Sequence, residues 1–544
     1  MEPLLSSSET GDAVEQIHDY HNRTKHHTER YAAGPETLDW TSQPNPFRKF
    51  SGAPVFELPL SAETLETPFS SVYQSGTVNP QPLSIESIGA LLQLSMGISA
   101  WKEYGPDRWA LRCNPSSGNL HPTEAYIVCP GIPTLQAGIY HYLSRDHALE
   151  QRCLFDEDTS LSELNGLIVG LSSIHWREAW KYGERAFRYC QLDLGHALGA
   201  IRYAAGVLGW NAHLIDSASS DQVADVLGLN RKEDFSNAES EEADLLILLT
   251  PQDKKAEAPN NLVEHLKGTW AGKANVLDPY PMYRWPIIDI VAEATRKPVT
   301  EPVAWKRQEF TPLMFNATKP AHSILLGRRS AQHFDGKTSI SSERFYHMLD
   351  CLLPRDTAPW DIWGFEPRVH LVLFVHRVDG VEPGMYLLAR DTTAPERLRN
   401  LLRPEYLWKK PENAPSHLPL YQLVASQSAK AAKTISCHQA IASDSCFSLG
   451  MLAEFDEVIE QAPWRYRQLY WEAGLVGHVL YLEAEAAEVR GTGIGCYFDD
   501  LLHELLGIRD SRLQCLYHFT VGQPLIDSRI TTLPPYPNRQ SGQD

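Results

Sequence analysis

Four short stretches of this 544-residue chain hold residue types whose spacing could do chemistry. The first is Arg112-Cys113-Asn114-Pro115-Ser116-Ser117-Gly118-Asn119, which leads into the apolar residues 125–128. Pro115 fixes φ and Gly118 permits a positive φ. Ser116, Ser117 and Asn119 add hydroxyls and an amide, so the loop can offer polar groups and backbone N–H to a ligand. An ordinary surface turn has the same composition. The second is Trp180-Lys181-Tyr182-Gly183-Glu184-Arg185. A desolvated lysine has its pKa lowered toward neutrality and a tyrosine can relay a proton, so Lys181 and Tyr182 fit proton removal. A helix-end lysine beside a packing tyrosine is the plain structural alternative. The third, Gly327-Arg328-Arg329-Ser330, can hold an anion or hydrogen-bond the edge of a heterocycle, or be a solvated basic turn. The fourth, Gly491-Thr492-Gly493-Ile494-Gly495-Cys496, is a glycine-rich turn that lets backbone approach a ligand closely.

These stretches need elements to position them. Residues 84–96 place Ile85, Ile88, Leu91 and Leu92 at helical spacing behind Ser84, a good N-cap. Residues 125–128 and 138–142 read as strands. Residues 185–210 read as a long helix, apolar on almost every face and therefore buried, with Gly195, Gly199 and Gly206 marking close helix packing. A strand over 242–250 closes this unit. Residues 251 to about 320 are rich in Pro, Lys and Asn and read as a connection, although 285–291 are too apolar to stay free of a core.

The chain then repeats itself. Residues 341–353 echo 84–94, Gly384-Met385-Tyr386 echoes Gly138-Ile139-Tyr140, and Arg467, Glu472 and Gly474 echo Arg188, Asp193 and Gly195. An ordered set of echoes indicates two copies of one fold. The second copy is eleven positions shorter between Ser341 and Gly384, where the Pro-Ser-Ser-Gly-Asn loop would fall, and carries residues 354–360 instead. It is longer between Gly384 and Arg467, with Tyr406 and Trp408 in the added part as candidate cover for a pocket.

Bulk composition sets limits. A hydrophobic content of 43% is that of a globular protein. The formal charge of −19 argues against nucleic acid and anionic membrane surfaces as partners. No signal peptide and no membrane-length apolar run is apparent, and nine cysteines without a Cys-x-x-Cys pair read as reduced thiols of a cytoplasmic protein. Histidines cluster at 18–27 without the carboxylates or cysteines that would complete a metal site, so no metal is expected.

Together the Pro-Ser-Ser-Gly-Asn loop and the Lys-Tyr stretch resemble the nitroreductase-like flavoenzymes, specifically the SagB/ThcOx-type thiazoline and oxazoline dehydrogenases. His21-x-x-Thr24-Lys25-His26 is similar to their opening segment. The resemblance implies an α+β fold of two tandem nitroreductase-like domains forming an intramolecular pseudo-dimer. A flexible N-terminus would span 1–17, domain 1 18–255, a connection 256–320, and a degenerate domain 2 321–535 with a lid insertion around 395–440. It implies FMN held by Arg112, Pro115, Ser116, Ser117 and Asn119 from the first half. Arg328, Arg329, Ser330, Gly493, Ile494, Gly495 and a phosphate-binding Arg529 would come from the second. Lys181 and Tyr182 would be catalytic, removing a proton while a hydride leaves the neighbouring carbon. The second half lacks both the loop and the lysine, so one FMN per chain is expected.

The implied activity is desaturation of a C–N or C–C bond in a peptide-like or amino-acid-derived substrate, azoline to azole included, with electrons passed to O2. Two rivals stand beside it. One is an NAD(P)H-dependent nitro or quinone reductase. The other is a non-catalytic scaffold for a biosynthetic partner protein.

Overall fold

The computed structural model describes residues 7–157, 159, 161, 164–252, 266–301, 305, 307–313 and 318–539. Part of the connection read over 256–320 lies outside them. Where a flexible N-terminus is read to residue 17, the chain instead forms helix α1 (Ser7–Arg23), which buries Ile17 and Tyr20.

The first half runs through β1 (Val55–Glu57), α2 (Ile85–Ser95), β2 (Ile98–Tyr104), β3 (Asp107–Arg112), β4 (Thr123–Cys129), β5 (Gly138–Leu143) and β6 (Ala148–Phe155). It continues with β7 (Leu167–Ser173), α3 (His175–Tyr182), α4 (Ala186–Val207), β8 (Trp210–Leu214), α5 (Ser220–Leu227), β9 (Glu242–Pro251) and β10 (Gly268–Trp270). Ser84 caps α2 as its sequence predicts: its side chain accepts from the Ser87 N–H while Ser87 Oγ accepts from the Ser84 N–H. The long helix is shorter than read, because Gly183–Arg185 form a 3₁₀ turn before it and Trp210 opens a strand after it. Pro286–Ala294, designated α6, gives the apolar stretch of the connection a helix that buries Ile288 and Val291.

The second half contains α7 (Ala321–Gly327), α8 (Ser342–Asp350), β11 (Val369–Val375), β12 (Gly384–Leu388), α9 (Ala394–Leu401), β13 (Leu420–Val424) and β14 (Phe447–Glu454). Then come α10 (Arg465–Ala486), β15 (Arg490–Ile494), α11 (Asp499–Leu506), β16 (Leu513–Gly522) and β17 (Thr531–Leu533).

Two antiparallel sheets result. Their orders are β10-β6-β5-β4-β7-β9-β8, with β1 also on β6, and β13-β12-β11-β14-β16-β15. Six strands of the first sheet, β6-β5-β4-β7-β9-β8, follow the order of the six in the second, while β10 and β1 have no counterpart, so the sequence echoes reflect a duplicated architecture. A finer correspondence lies in the sheet centres. Gly170 on β7 makes room for the Leu227 methyls of α5, and Gly450 on β14 makes room for Leu502 of α11. In each half a helix seats its leucine in the gap left by a central-strand glycine.

The halves pack through α4 and α10, both buried along nearly their whole length. The chain end crosses back: β17 pairs with β2, and the Tyr536 hydroxyl accepts from the Ile98 N–H at 2.9 Å. The His21–His26 segment ties the halves at another edge. Arg185 and Arg188 of the first half both reach the buried Asp499 carboxylate, at 3.0 and 2.8 Å. The His26 N–H donates to the same carboxylate at 2.8 Å.

The insertion 395–440 does not form a lid over the principal cavity. Tyr406 donates to the Leu505 carbonyl and Trp408 packs on Tyr421, so both cover an apolar cluster that the insertion shares with β11, β12, α11 and β16. Of this segment only Gln439 lines the cavity described next.

Candidate active site

A cavity of about 510 Å³ lies between the halves. Arg112, Pro115, Ser116, Ser117, Asn119, Arg328, Arg329, Ser330, Gly493, Ile494, Gly495 and Tyr182 line it, drawn together from four distant parts of the chain. Arg529 does not. Its guanidinium pairs with Asp527 at 2.7 Å on the surface and stacks over Tyr104. Lys181 is not in the wall either and lies behind Tyr182.

The loop is held by its own polar side chains. Ser117 donates from its N–H and its Oγ to the Asp193 carboxylate on α4, each at 2.9 Å. Ser116 Oγ accepts from the His121 N–H at 2.8 Å, and Asn119 Nδ2 donates to the Ala110 carbonyl at 2.8 Å. Sequence reading assigns these groups to a ligand; here they first build the loop. Burial raises Asp193 to about 7, against the opposing hydrogen bonds from Ser116 and Ser117.

From the other half, Arg328 donates from Nε to the Cys113 carbonyl at 3.0 Å and from Nη2 to the Arg112 carbonyl at 3.1 Å. Its buried Nη1 has no hydrogen-bond partner among the described residues. Ser330 Oγ and Tyr481 Oη are 2.8 Å apart, and the Tyr481 hydroxyl accepts from the Gly493 N–H at 3.0 Å. A side chain at Gly493 would strike the Tyr517 hydroxyl, at Gly495 the Tyr189 ring, and at Gly118 (φ +58°) the Tyr182 hydroxyl. Three glycines thus admit three tyrosines to the walls, which is why no other residue fits there.

Charge divides the cavity. Lys102, Arg112, Arg328, Arg329 and Arg490 line it against the acidic Asp193 and Asp527, in a chain of net charge −19. Burial, followed by the neighbouring Arg329 and Arg490, lowers Lys102. Burial, followed by Arg328, lowers Arg329 to about 10. Such a cluster favours an anion. The donor set and the aromatic walls fit a phosphorylated, planar cofactor: cations for a phosphate, an orphaned guanidinium nitrogen, and the tyrosines that the glycines admit.

On α3, the Lys181 ammonium lies 5.4 Å from the Trp40 ring centroid and 5.2 Å from that of Tyr182. Burial lowers Lys181 and Glu178 opposes this. Burial, then Glu178, holds Tyr182 well above its ordinary value. Both carboxylate oxygens of Glu178 are buried and without a hydrogen-bond partner among the described residues, and burial, then Asp193, holds its carboxyl well above the usual range. Sequence reading misses Glu178, Asp193, Arg490 and the tyrosines at 189, 481 and 517. Asp193 alone carried a signal, since it stands in the repeated Arg-x4-acid-x-Gly pattern.

Glu472, the counterpart of Asp193, accepts from the Arg368 N–H at 3.0 Å and binds Arg390. Residues replacing the missing loop supply Trp360 and Trp363, both buried, and Asp361, which pairs with Arg202 at 2.6 Å.

This architecture defines the class: the chain has the nitroreductase fold in a tandem, two-half form. The crystal structure of a candidate nitroreductase from Anabaena variabilis matches with a TM-score of 0.68 at 21% identity, covering 94% of this chain and 99% of that one. The match therefore spans both halves. No family model matches the chain. Among curated proteins, the trifolitoxin-processing protein TfxB of Rhizobium leguminosarum bv. trifolii is 29% identical over 166 residues, 28% of this chain and 44% of that protein. A candidate nitroreductase of Methanocaldococcus jannaschii is 21% identical over 157 residues, 27% of this chain and 75% of that protein. No helix among the described residues is long and apolar enough to cross a membrane.

Proposed function

We propose that this chain is an FMN-dependent oxidoreductase of the SagB type, a dehydrogenase that binds one FMN in the composite cavity. Its substrate would be peptide-derived, with an azoline the leading candidate, and O2 would take the electrons. The observation carrying the reading is the cavity itself, a cationic recess joined to an aromatic wall on which Tyr182 stands in front of Lys181. The likeness to a trifolitoxin-processing protein supports a peptide-derived substrate and a biosynthetic partner. The cofactor, when bound, supplies hydride acceptance, which no side chain can provide.

The protein does the rest. Arg328, Arg329 and Arg490, with Lys102, would hold the phosphate, and Gly493, Gly495 and the Ser116–Asn119 loop would border the rest of the cofactor. Tyr182 orients the substrate at the wall. A tyrosine pushed above its ordinary pKa stays protonated, so it relays rather than removes a proton. Lys181, lowered by burial, is the base, and its Nζ takes the proton through the Tyr182 hydroxyl.

The test is the visible spectrum of the purified chain with released flavin counted per chain. About one FMN is expected. None after soaking with FMN would sink the reading, and two would mean the second half completes a site after all. Rapid bleaching by NAD(P)H without turnover of an azoline peptide would reverse the direction to a reductase.

A further inference from the structure

A second cavity, about 300 Å³, opens on the side of α10 away from the first. Tyr481 faces the composite site, while Glu483, two residues on and therefore on the opposite side of the helix, faces this one. Its walls include Phe69, Phe310, Leu313 and Trp360. Into this mostly apolar chamber three ligand-type side chains converge: His347 on α8, Cys351 at its C-cap, and the buried Glu483.

We infer that His347 Nε2, Cys351 Sγ and a Glu483 carboxylate oxygen bind one divalent transition-metal ion of the zinc class, whose fourth position faces the cavity. The three atoms lie within 4.8 Å of one another. His347 Nε2 is 3.1 Å from Glu483 Oε2 and 3.5 Å from Cys351 Sγ. A tetrahedral ion with metal–N and metal–O distances of about 2.0 Å and metal–S of about 2.3 Å sets those edges at roughly 3.3 and 3.5 Å. Two of the three edges therefore already match a tetrahedral ion, and the third, between Cys351 Sγ and the Glu483 oxygen, would close by at most about 1.3 Å. Histidine and cysteine four residues apart at a helix end share one face, the usual way two ligands are supplied by one element.

Outer groups complete the case. The Tyr73 hydroxyl donates to Glu483 Oε1, the oxygen turned away from His347, and Tyr203 Oη lies 2.8 Å from Tyr73 Oη. That chain, from the first half, fixes the carboxylate's rotation as ligand-orienting hydrogen bonds do. Binding would release the thiol proton to solvent and leave a thiolate on the metal. Because the ligands come from the second half and the orienting tyrosines from the first, the ion would also pin the two halves together.

The test uses the full chain. After treatment with a chelator and desalting, Co2+ is added and the ultraviolet–visible spectrum recorded, with Zn2+ content measured in parallel by mass spectrometry. One ion per chain and a thiolate-to-cobalt charge-transfer band are expected. Cys351→Ser should abolish the band and weaken binding at least about 100-fold. Glu483→Gln should weaken Zn2+ binding by a similar factor while the band, if cobalt is forced on, persists. Flavin content and circular dichroism of both variants report folding. No cobalt band with the wild-type chain overturns the site, as does binding unchanged in Cys351→Ser. If both variants fail to fold, Tyr73→Phe decides: it should weaken Zn2+ binding about 10-fold, and no change overturns the assignment.

Discussion

Gly195 of α4 and Gly474 of α10 meet at the crossing of the two long helices. A methyl group on Gly195 would lie 2.9 Å from the Gly474 Cα, and one on Gly474 would lie 2.8 Å from the Gly195 Cα. They are equivalent positions in the two halves, so the pseudo-two-fold axis passes between them. Gly195→Ala or Gly474→Ala is expected to push the helices apart and destabilise the chain by about 1–3 kcal/mol, despite alanine's better helix propensity. Thermal unfolding checks this. The composite cavity is built across the same interface, so flavin affinity should fall in both variants.

The arginines at the cavity should separate cleanly. Arg328 holds the Arg112–Cys113 backbone and keeps one N–H unpartnered beside the recess. Arg328→Ala should lower FMN affinity at least about 100-fold, removing charge-assisted hydrogen bonds and the contact between halves. Arg529 does not line the cavity and its charge is paired with Asp527 at the cavity's edge, so Arg529→Ala should change affinity less than about 2-fold. Equilibrium titration with FMN distinguishes the two. Loss of binding in Arg529→Ala would restore the assignment made from sequence.

Asp193 gives a pH signature. Its carboxyl is raised from about 4 to about 7 by burial, so the folded chain holds this proton where the unfolded chain has released it. Below pH 4 both states are protonated and the contribution is fully present. Between pH 4 and 7 stability falls as pH rises, by on the order of 2–4 kcal/mol from this group alone. Asp193→Asn keeps an acceptor for the Ser117 N–H and carries no charge. Its denaturation midpoint should therefore be flatter across that window than the wild type's. A wild-type slope retained in the variant would assign the pH dependence to other groups.

Much of this was legible in the chain, and the limits have physical causes. The echoed Arg, acid and Gly positions and the Ser84 cap are local or periodic signals, so the duplicated fold could be read from them. The Gly170–Leu227 and Gly450–Leu502 seats could not, because each pairs residues far apart with no shared motif. At the site, residue types were visible but their duties were not. Ser117 and Asn119 look like ligand donors in sequence, yet they hold Asp193 and Ala110. Arg529 looked like a phosphate ligand only because the resembled family places an arginine there, and that resemblance could not show that Asp527 captures it. Tyr406 and Trp408 looked like a lid because exposed aromatics in an insertion usually cover something. What they cover is an apolar cluster shared with the second sheet and α11.

The proton-transfer pair should show itself in turnover, with cofactor content as the control. Lys181→Met removes the proposed base and should lower kcat by about 10²–10⁴-fold, with FMN content unchanged because Lys181 is outside the wall. Tyr182→Phe keeps the ring against Gly118 and loses the relay, so it should cost less, about 10-fold or more. In the wild type, kcat should rise with pH as Lys181 loses its proton, with a midpoint below the ordinary lysine value of 10.5 because burial outweighs Glu178. Glu178→Gln removes the negative charge that opposes the shift wherever that raised carboxyl has ionised. The midpoint should then move further down, the sign opposite to that of a merely structural change. A midpoint unmoved in Glu178→Gln, or a Lys181→Met variant with full turnover, would transfer the base to another group. Rescue of Lys181→Met by small added amines would return it to Lys181.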